Sequence, residues 1–323
     1  MAPVTLEITL ASPDVRHVEH VLPHQLRAWA AQVSEILCVV DLLPVPGRPD
    51  RSWERDGQRL LDLVDRCCAE YPHAHRRVVD YGADAARALS DAFFFGSPIP
   101  PKTYRGGPFY AYLWGWHEAV NDYVFHLDSD IMFGGGSQTW VHEAIGMLRD
   151  RPNLLVCQPF PGPPTADGGI YAAGAEHEPG PVPAFRFRTI TTRYFLIDRG
   201  RFRERIGGLT ERAHSPFVTK VGLLDWLHGL RAVPFRDRLR PLRLVTPRVD
   251  LPERLLGEAM TAAGMYRLDY LGRERGMWTL HPLERTEAYY EYLPELVARI
   301  ERSEVTDAQR GHYDLDASML TPA

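Results

Sequence analysis

The chain has 323 residues, of which 45% are hydrophobic, 24% charged and 11% aromatic, enough to bury a large core and too apolar for a wholly disordered chain. Its formal net charge of −5 excludes the overall basic character of a general nucleic-acid binder, so no nucleic-acid partner is expected.

Residues 4–10 read as a short strand ended by Ser12-Pro13, and residues 23–33 as a helix. Residues 36–43 (ILCVVDLL) form a continuous apolar run, as in a strand covered on both faces, closed by Pro44 and Pro46. A helix over 54–70 shows Leu60, Leu61, Leu63 and Val64 on its apolar face, and residues 77–81 make a third strand candidate. Strands alternating with helices predict an α/β fold with a mainly parallel sheet. Residues 108–120 read as a helix opened by Pro108. Residues 123–127 read as a buried strand running into Asp128-Ser129-Asp130, with Gly134, Gly135 and Gly136 close behind. A helix over 138–149 and a strand over 154–158 follow. The stretch 159–184 is rich in Pro and Gly, a long loop that is either functional or disordered. Residues 193–198 return to strand, Gly207-Gly208 mark a turn, and 218–230 read as a helix. Past residue 250 the pattern changes. An amphipathic helix over 284–302 carries Tyr289, Tyr292, Leu293, Leu296 and Ile300 on one side, and the last twenty residues read as loosely ordered. No internal repeat is present. The expected division is a catalytic unit over 1–250 and a C-terminal extension over 251–323.

Cys38, Cys67, Cys68 and Cys157 form no Cys-x-x-Cys pair. Cys38 and Cys157 sit in apolar runs and read as reduced core residues, which fits a cytoplasmic protein. The opening MAPVTLEITLASPDV lacks the basic and apolar regions of a signal peptide. No stretch approaches the roughly 18 apolar residues of a membrane span, so no integral membrane segment is expected.

The chemistry concentrates at Asp128 and Asp130. Two carboxylates one residue apart at the end of a buried strand are costly to bury together, and a divalent cation resolves their repulsion. Mg²⁺ or Mn²⁺ prefers oxygen ligands and leaves positions open for phosphate oxygens. The alternative is a pair of acids capping the following turn. In open α/β sheets ligands sit beyond the carboxyl ends of the strands. That places Ala11, Ser12, Asp41 and Asp80 as candidates to line a nucleotide pocket, with turn capping as the alternative for the two acids. Lys102 and Arg105, with Gly106, precede the helix at 108 and suit an anionic diphosphate. Lysine occurs only at 102 and 220; arginine carries nearly all the positive charge, a coding bias first, though its planar fork also suits diphosphates. His17, His20 and His24 are near helical spacing, but Pro23 intervenes and solvated histidines are the expectation. No GxSxG, P-loop or GxGxxG motif supports a serine hydrolase, a P-loop kinase or a Rossmann dehydrogenase.

The segment HLDSDIMF, 126–133, resembles the donor-binding DxD segment of GT-A glycosyltransferases, particularly family-2-like enzymes. RGRFRERIGGLTE, 199–211, resembles the stretch leading to that family's glycine loop, with Gly207 and Gly208 as its glycines. Leu224-Asp225 falls where the family carries an acidic pair, of which only the second acid is present. GMWTLHP, 276–282, resembles the late segment that supplies a metal-ligating histidine, here His281. The resemblance covers residues 4 to about 282. It implies a GT-A-type, Rossmann-like sheet, a nucleotide diphosphate-sugar donor, and Mn²⁺ or Mg²⁺ held by Asp128, Asp130 and His281, with Ser129 inside the motif. Asp225 is then the general base of an inverting transfer, with a surface acid on the amphipathic helix LLDWLHGL as the alternative; in a retaining enzyme it would bind the acceptor instead. Gly207, Gly208, Trp226 and Trp278 fall on the acceptor side, the two tryptophans with a core role as alternative. The acceptor implied is a small molecule or other soluble compound, entering beside a lid-like 159–189 loop. The tyrosine-bearing C-terminal helix either packs on the site or forms a homodimer. The rivals are a sugar-nucleotide nucleotidylyltransferase and a non-catalytic nucleotide-sugar-binding protein. The first expects a glycine-rich basic loop after the first strand, where this chain has Ala11-Ser12-Pro13-Asp14.

Overall fold

The computed structural model describes residues 2–45, 52–103, 106–210 and 252–320. In chain order the strands are β1 (Val4–Ala11), β2 (Glu35–Asp41), β3 (Ala74–Val78), β4 (Tyr123–Asp128), β5 (Met132–Gly134), β6 (Leu154–Pro161), β7 (Glu176–His177), β8 (Ala184–Phe187), β9 (Tyr194–Asp198), β10 (Tyr266–Tyr270) and β11 (Trp278–Leu280). The helices are α1 (Val15–Trp29), α2 (Trp53–Cys68), α3 (Ala83–Phe93), α4 (Tyr110–Glu118), α5 (Trp140–Asp150), α6 (Arg199–Arg205), α7 (Pro252–Ala262) and α8 (Glu287–Glu301).

The main sheet has the order β3-β2-β1-β4-β9-β6-β10-β8-β7. Strands β3, β2, β1 and β4 are mutually parallel, β9 runs antiparallel to both β4 and β6, and β10 is parallel to β6. The result is a mixed, mostly parallel sheet flanked by helices. Residue alternation builds a core on each face. Leu6, Ile8, Leu10, Ile36, Cys38 and Val40 meet α1, α2 and α5 through Val18, Leu22, Trp29, Leu60, Val64 and Ile145. Leu37, Val39, Val124 and Phe195 meet α3, α4, α6 and α7 on the opposite side, through Leu89, Phe93, Trp116, Phe202 and Leu256. A third cluster packs α8 on Met132, Phe160, Trp278 and Leu280.

Several expectations are corrected. The first helix begins at Val15 and carries Pro23 in its interior. That places His17 and His24 on its buried face, at 0% and 2% exposure, instead of in solvent. The third strand lies at Ala74–Val78, a few residues before the expected 77–81. Residues 159–184 are not one structureless loop, since β6 extends to Pro161 and β7 and β8 form a hairpin at the sheet edge. The C-terminal segment is more than a helix: β10 joins the main sheet and β11 pairs with β5 and β6. Among the last described residues, Gln309 and Met319 are fully buried. The expected helix over 218–230 lies outside the described residues. Among the described residues, no helix is long and apolar enough to cross a membrane.

Candidate active site

Three neighbouring strands end together. The register sets Ala11 beside Asp41 and Thr9 beside Asp128, so the carboxyl ends of β2, β1 and β4 form one edge. The antiparallel β9 starts at that edge, where the Asp128 amide donates to the Arg193 carbonyl at 2.6 Å. Sequence-distant residues therefore converge by topology alone.

The chain leaves β4 through a turn at Ser129-Asp130 that protein groups hold on all sides. Gln25, buried on α1, donates from Nε2 to the carbonyls of Asp128 and Ile131, both at 2.9 Å. Ser129 is buried; its hydroxyl lies 2.9 Å from His17 Nε2 and donates to Asp14 Oδ2 at 3.1 Å. Asp14 Oδ2 also accepts from the Ala11 amide at 2.9 Å, which ties the end of β1 to the same turn. Burial lowers the His17 pKa against the pull of Asp14.

Asp128 and Asp130 have different neighbours. Tyr112 donates its hydroxyl to Asp128 Oδ1 at 2.6 Å, and His126 Nε2 lies 3.7 Å from the same oxygen. Asp130, 3% exposed, faces the C-terminal segment. His281 Nε2 lies 3.6 Å from Asp130 Oδ2, and the Arg285 guanidinium bonds that oxygen directly while its Nη1 lies 3.6 Å from Asp14 Oδ1. Burial alone would raise the Asp130 pKa; Arg285, His281 and His17 outweigh it and hold the carboxyl below its ordinary value. Burial lowers the His281 pKa, with Asp130 opposing and Arg193 adding to the fall. His281 Nδ1 lies 3.3 Å from Arg193 Nη1 and 3.4 Å from Asp314 Oδ1, and its ring stacks on Tyr313 at 5.6 Å.

The donor types, two carboxylates and an imidazole, suit a hard divalent cation in chemistry, but His281 Nδ1 stands between two opposed partners: Arg193 can only donate to it and Asp314 can only accept from it. A cation already stands at Asp130, in the form of the Arg285 guanidinium. The three expected ligands are not gathered as a set, however. Among the described residues no group of three or more His, Cys, Asp or Glu side chains is placed to hold a metal ion.

The remaining expected residues divide by location. Ala11 and Ser12 lie at the strand edge, with Ser12 buried and its hydroxyl without a hydrogen-bond partner among the described residues. Asp41 and Lys102 are both buried and form an ion pair, and the Tyr81 hydroxyl donates to Asp41 at 3.0 Å. Neither side chain is open to a ligand in this arrangement. Asp80 is exposed and caps the turn into α3, accepting from the Gly82 amide at 2.7 Å. Gly207 and Gly208 lie against the exposed ring of Phe95, a non-glycine residue in the left-handed region at φ 50°. A Cβ at Gly208 would come within 2.9 Å of that ring, so the glycine is what lets the loop pass beneath it. Trp278 takes the core alternative: it is 4% exposed in β11 and packs on Gly134, because β11 carries it into the third cluster. Asp225, Trp226 and Arg105 lie outside the described residues.

The sequence reading left Gln25, Arg193 and Arg285 out of the site, took His17 for a solvated histidine and gave Asp14 no role in it. Only Asp14 had a local signal, as an acid just beyond the first strand. The others come to the motif from remote segments: Gln25 stands 103 residues from Asp128 in the chain, and Arg285 stands 155 residues from Asp130.

No protein-family model and no curated protein matches the chain. Solved structures similar to it include an active-site mutant of LgtC, at 10% identity and TM-score 0.36 over 95% of this chain and 99% of that one. GalNAc-T7, solved with UDP, GalNAc and Mn²⁺, aligns at 11% identity and TM-score 0.42 over 92% of this chain and 48% of that one, so this chain spans about half its length. S. aureus TarS residues 1–349, in complex with UDP-GlcNAc, aligns at 9% identity and TM-score 0.42 over 95% and 68% respectively.

Proposed function

We propose that this chain is a GT-A-type glycosyltransferase that moves a sugar from a nucleotide diphosphate-sugar to a soluble acceptor. The observation that carries the reading is the buried Asp130 at the carboxyl edge of the parallel strands, with His281, Arg285 and Arg193 brought around it from remote segments. Such an edge is where an open α/β sheet takes its ligand. Guanidinium groups there suit a diphosphate.

In this reading Arg193 and Arg285 donate to oxygens of the leaving diphosphate. Asp130 and His281, with Asp128, are the groups that would hold Mn²⁺ or Mg²⁺, which supplies neutralisation of the charge building on the leaving group. Gln25, Ser129 and Asp14 fix the turn that presents Asp130. Asp225 is the proposed base that takes the acceptor's proton in an inverting transfer. The acceptor enters from the side of residues 159–189.

A thermal-shift panel of UDP, GDP, dTDP, ADP and CDP, with and without Mn²⁺, tests the reading on the wild type and Asp130→Ala. Ligand binding to the folded state alone raises the melting temperature. One nucleotide should shift the wild type and lose its effect in the variant. No shift with any nucleotide, under either condition, overturns the donor-site reading.

A further inference from the structure

Beside the candidate site, one aromatic ring is both held in place and open to solvent. Tyr171 is 68% exposed. Its amide donates to the Gly311 carbonyl at 2.7 Å, and the Gly311 amide donates to the Pro163 carbonyl at 2.7 Å. Gly311 has φ +81°, and a Cβ there would stand 2.7 Å from the Tyr171 ring. A Cβ at Gly162 would stand 2.3 Å from the His312 carbonyl oxygen. These two glycines let the 162–171 stretch close onto 311–312, and the Tyr171 ring comes to lie 4.8 Å from the His312 ring. A lone exposed aromatic is ordinary on a protein surface. A ring seated in this way is preorganised, and it loses little freedom when a ligand covers it.

We infer that Tyr171, with His312 beside it, is the platform on which a sugar ring of the acceptor stacks, and that Asp314 takes hydroxyls of that ring. The inference rests on the transferase reading above and names its acceptor class as a saccharide.

The step from platform to site is short. His312 and Asp314 are exposed, whereas Tyr313 between them stacks on His281 at 5.6 Å. Asp314 forms a parallel bridge with His281, so the segment is extended there and residues two apart share a face. The fully buried Gln309 ties this segment down, donating from Nε2 to the carbonyls of His312 and Asp314 at 2.8 and 3.1 Å. His312 and Asp314 therefore stand about 7 Å apart along one outward face. Asp314 Oδ1 lies 3.4 Å from His281 Nδ1, and Arg193 Nη1 lies 3.3 Å from the same nitrogen. The aromatic pair, the exposed carboxylate and the residues around Asp130 thus follow one another along residues 311–314.

A sugar ring answers each part of this surface. One face of it presents C–H bonds, polarised by the oxygens on the same carbons, to the negative face of an aromatic ring. Its rim carries hydroxyls that donate to a carboxylate and accept from a guanidinium or an imidazole. A flat aromatic compound would use Tyr171 and leave Asp314 unanswered. An open-chain polyol would use Asp314 and leave the ring bare.

Saturation-transfer NMR tests this on the wild type, Tyr171→Phe, Tyr171→Ala and Asp314→Ala. The probes are the methyl pyranosides of glucose, galactose, mannose and N-acetylglucosamine, with lactose and maltose; phenol and erythritol are the controls. At least one glycoside should bind the wild type, with the C–H protons of one ring face receiving most of the saturation. Tyr171→Ala should weaken that binding about five- to tenfold, and Tyr171→Phe, which keeps the aromatic face, should stay within about twofold. Asp314→Ala should weaken it about tenfold through the lost charge-assisted hydrogen bonds. Both side chains are exposed, so all four proteins should melt alike and bind the matching nucleoside diphosphate equally. With that nucleotide saturating, the glycoside should still bind; its displacement would put the ring in the nucleotide's own pocket and overturn the acceptor role. Equal glycoside affinity in the wild type and Tyr171→Ala overturns the platform, as does binding of phenol or erythritol but of no glycoside. A nucleotide that binds where no glycoside does leaves the donor site standing and the platform refuted. Glycosides that bind where no nucleotide does leave the platform as a sugar site and refute the donor-site reading.

Discussion

Replacing His126 by leucine isolates the buried charge beneath the candidate site. His126 and Glu7 are direct register partners on β4 and β1, each side chain fully buried, and they bond through His126 Nδ1. Burial works against charge on the imidazole, but Glu7 and Asp128 outweigh it and hold its pKa at about 9, so the imidazole is protonated at neutral pH. Among the described residues, the Glu7 carboxylate keeps only the Thr9 hydroxyl, at 2.7 Å, in the leucine variant. Gly115 closes the other side: a Cβ there would stand 2.6 Å from Glu7 Oε1, so little room remains for water. Removing one partner of a buried pair in this way costs about 3–5 kcal/mol. Glu7→Leu combined with His126→Leu removes both charges and should recover most of that loss, for a coupling energy of about 3 kcal/mol. Urea denaturation read by tryptophan fluorescence and by circular dichroism, with the two transitions required to coincide, measures all four proteins of the cycle. A loss below about 1 kcal/mol for His126→Leu, or additive losses in the double variant, would refute the argument that this pair is desolvated and ionic.

Three further outcomes are expected. Glu301 closes α8 onto α1: His24 holds its carboxyl down to about 2, burial opposes, and Arg27 adds to the fall. A depressed folded pKa gives stability that is full above the unfolded value and lost as pH falls through about 4.5 toward 2, so Glu301→Gln should lower stability by about 1 kcal/mol at pH 7 after discounting for solvent, and by almost nothing near pH 2. Melting curves across that range check it, and a gap that does not narrow with acid contradicts the ionic account. Lys102→Met strands the fully buried Asp41 and should cost about 3 kcal/mol in urea denaturation, with Asp41→Asn in the same chain restoring part of it. Gly134→Ala sets a Cβ 2.1 Å from the Trp278 ring and should destabilise by about 1–3 kcal/mol, relieved when Trp278→Leu makes room; no relief would mean that the ring is not the obstacle.

The parallel half of the fold was legible because its strands are buried on both faces. The run ILCVVDLL, 36–43, covers all of β2 but its first residue, Glu35, and the strand has no exposed residue. The stretch 123–127 matches β4 within one residue for the same reason. In β1 the alternation of Val4, Leu6, Ile8 and Leu10 with Thr5, Glu7 and Thr9 suggests one wet face. The structure instead buries the polar residues against β2, β4 and α4, where Glu35 and His126 answer them. Strands β5, β10 and β11 escaped because they are three to five residues long and owe their place to pairing partners far off in the chain. Helix α1 escaped at its start because Pro23 reads as a breaker. In the fold, a face of Val18, Val21, Leu22 and Leu26 buried on both sides of the proline stabilises the helix by more than the one missing backbone bond costs.

The motif itself was legible as a pair of acids and not as two separate ones. Two carboxylates one residue apart at the end of a buried strand look like joint ligands, because burying them together is costly and residues two apart in a strand share a face. The strand, however, ends at Asp128, and Ser129-Asp130 form a turn. The shared-face rule therefore stops holding between the two acids. Asp128 keeps Tyr112 of α4 and His126 of its own strand, while Asp130 is delivered to His281 and Arg285 on the other side of the turn. Each carboxylate is then compensated by its own basic or donor groups, which removes the mutual repulsion that first suggested a shared metal. For the two acids to act on one cation, either the turn must tighten or the cation must reach across it. Asp130 is the acid that already faces a cation, and so the one whose loss should change ligand binding most directly.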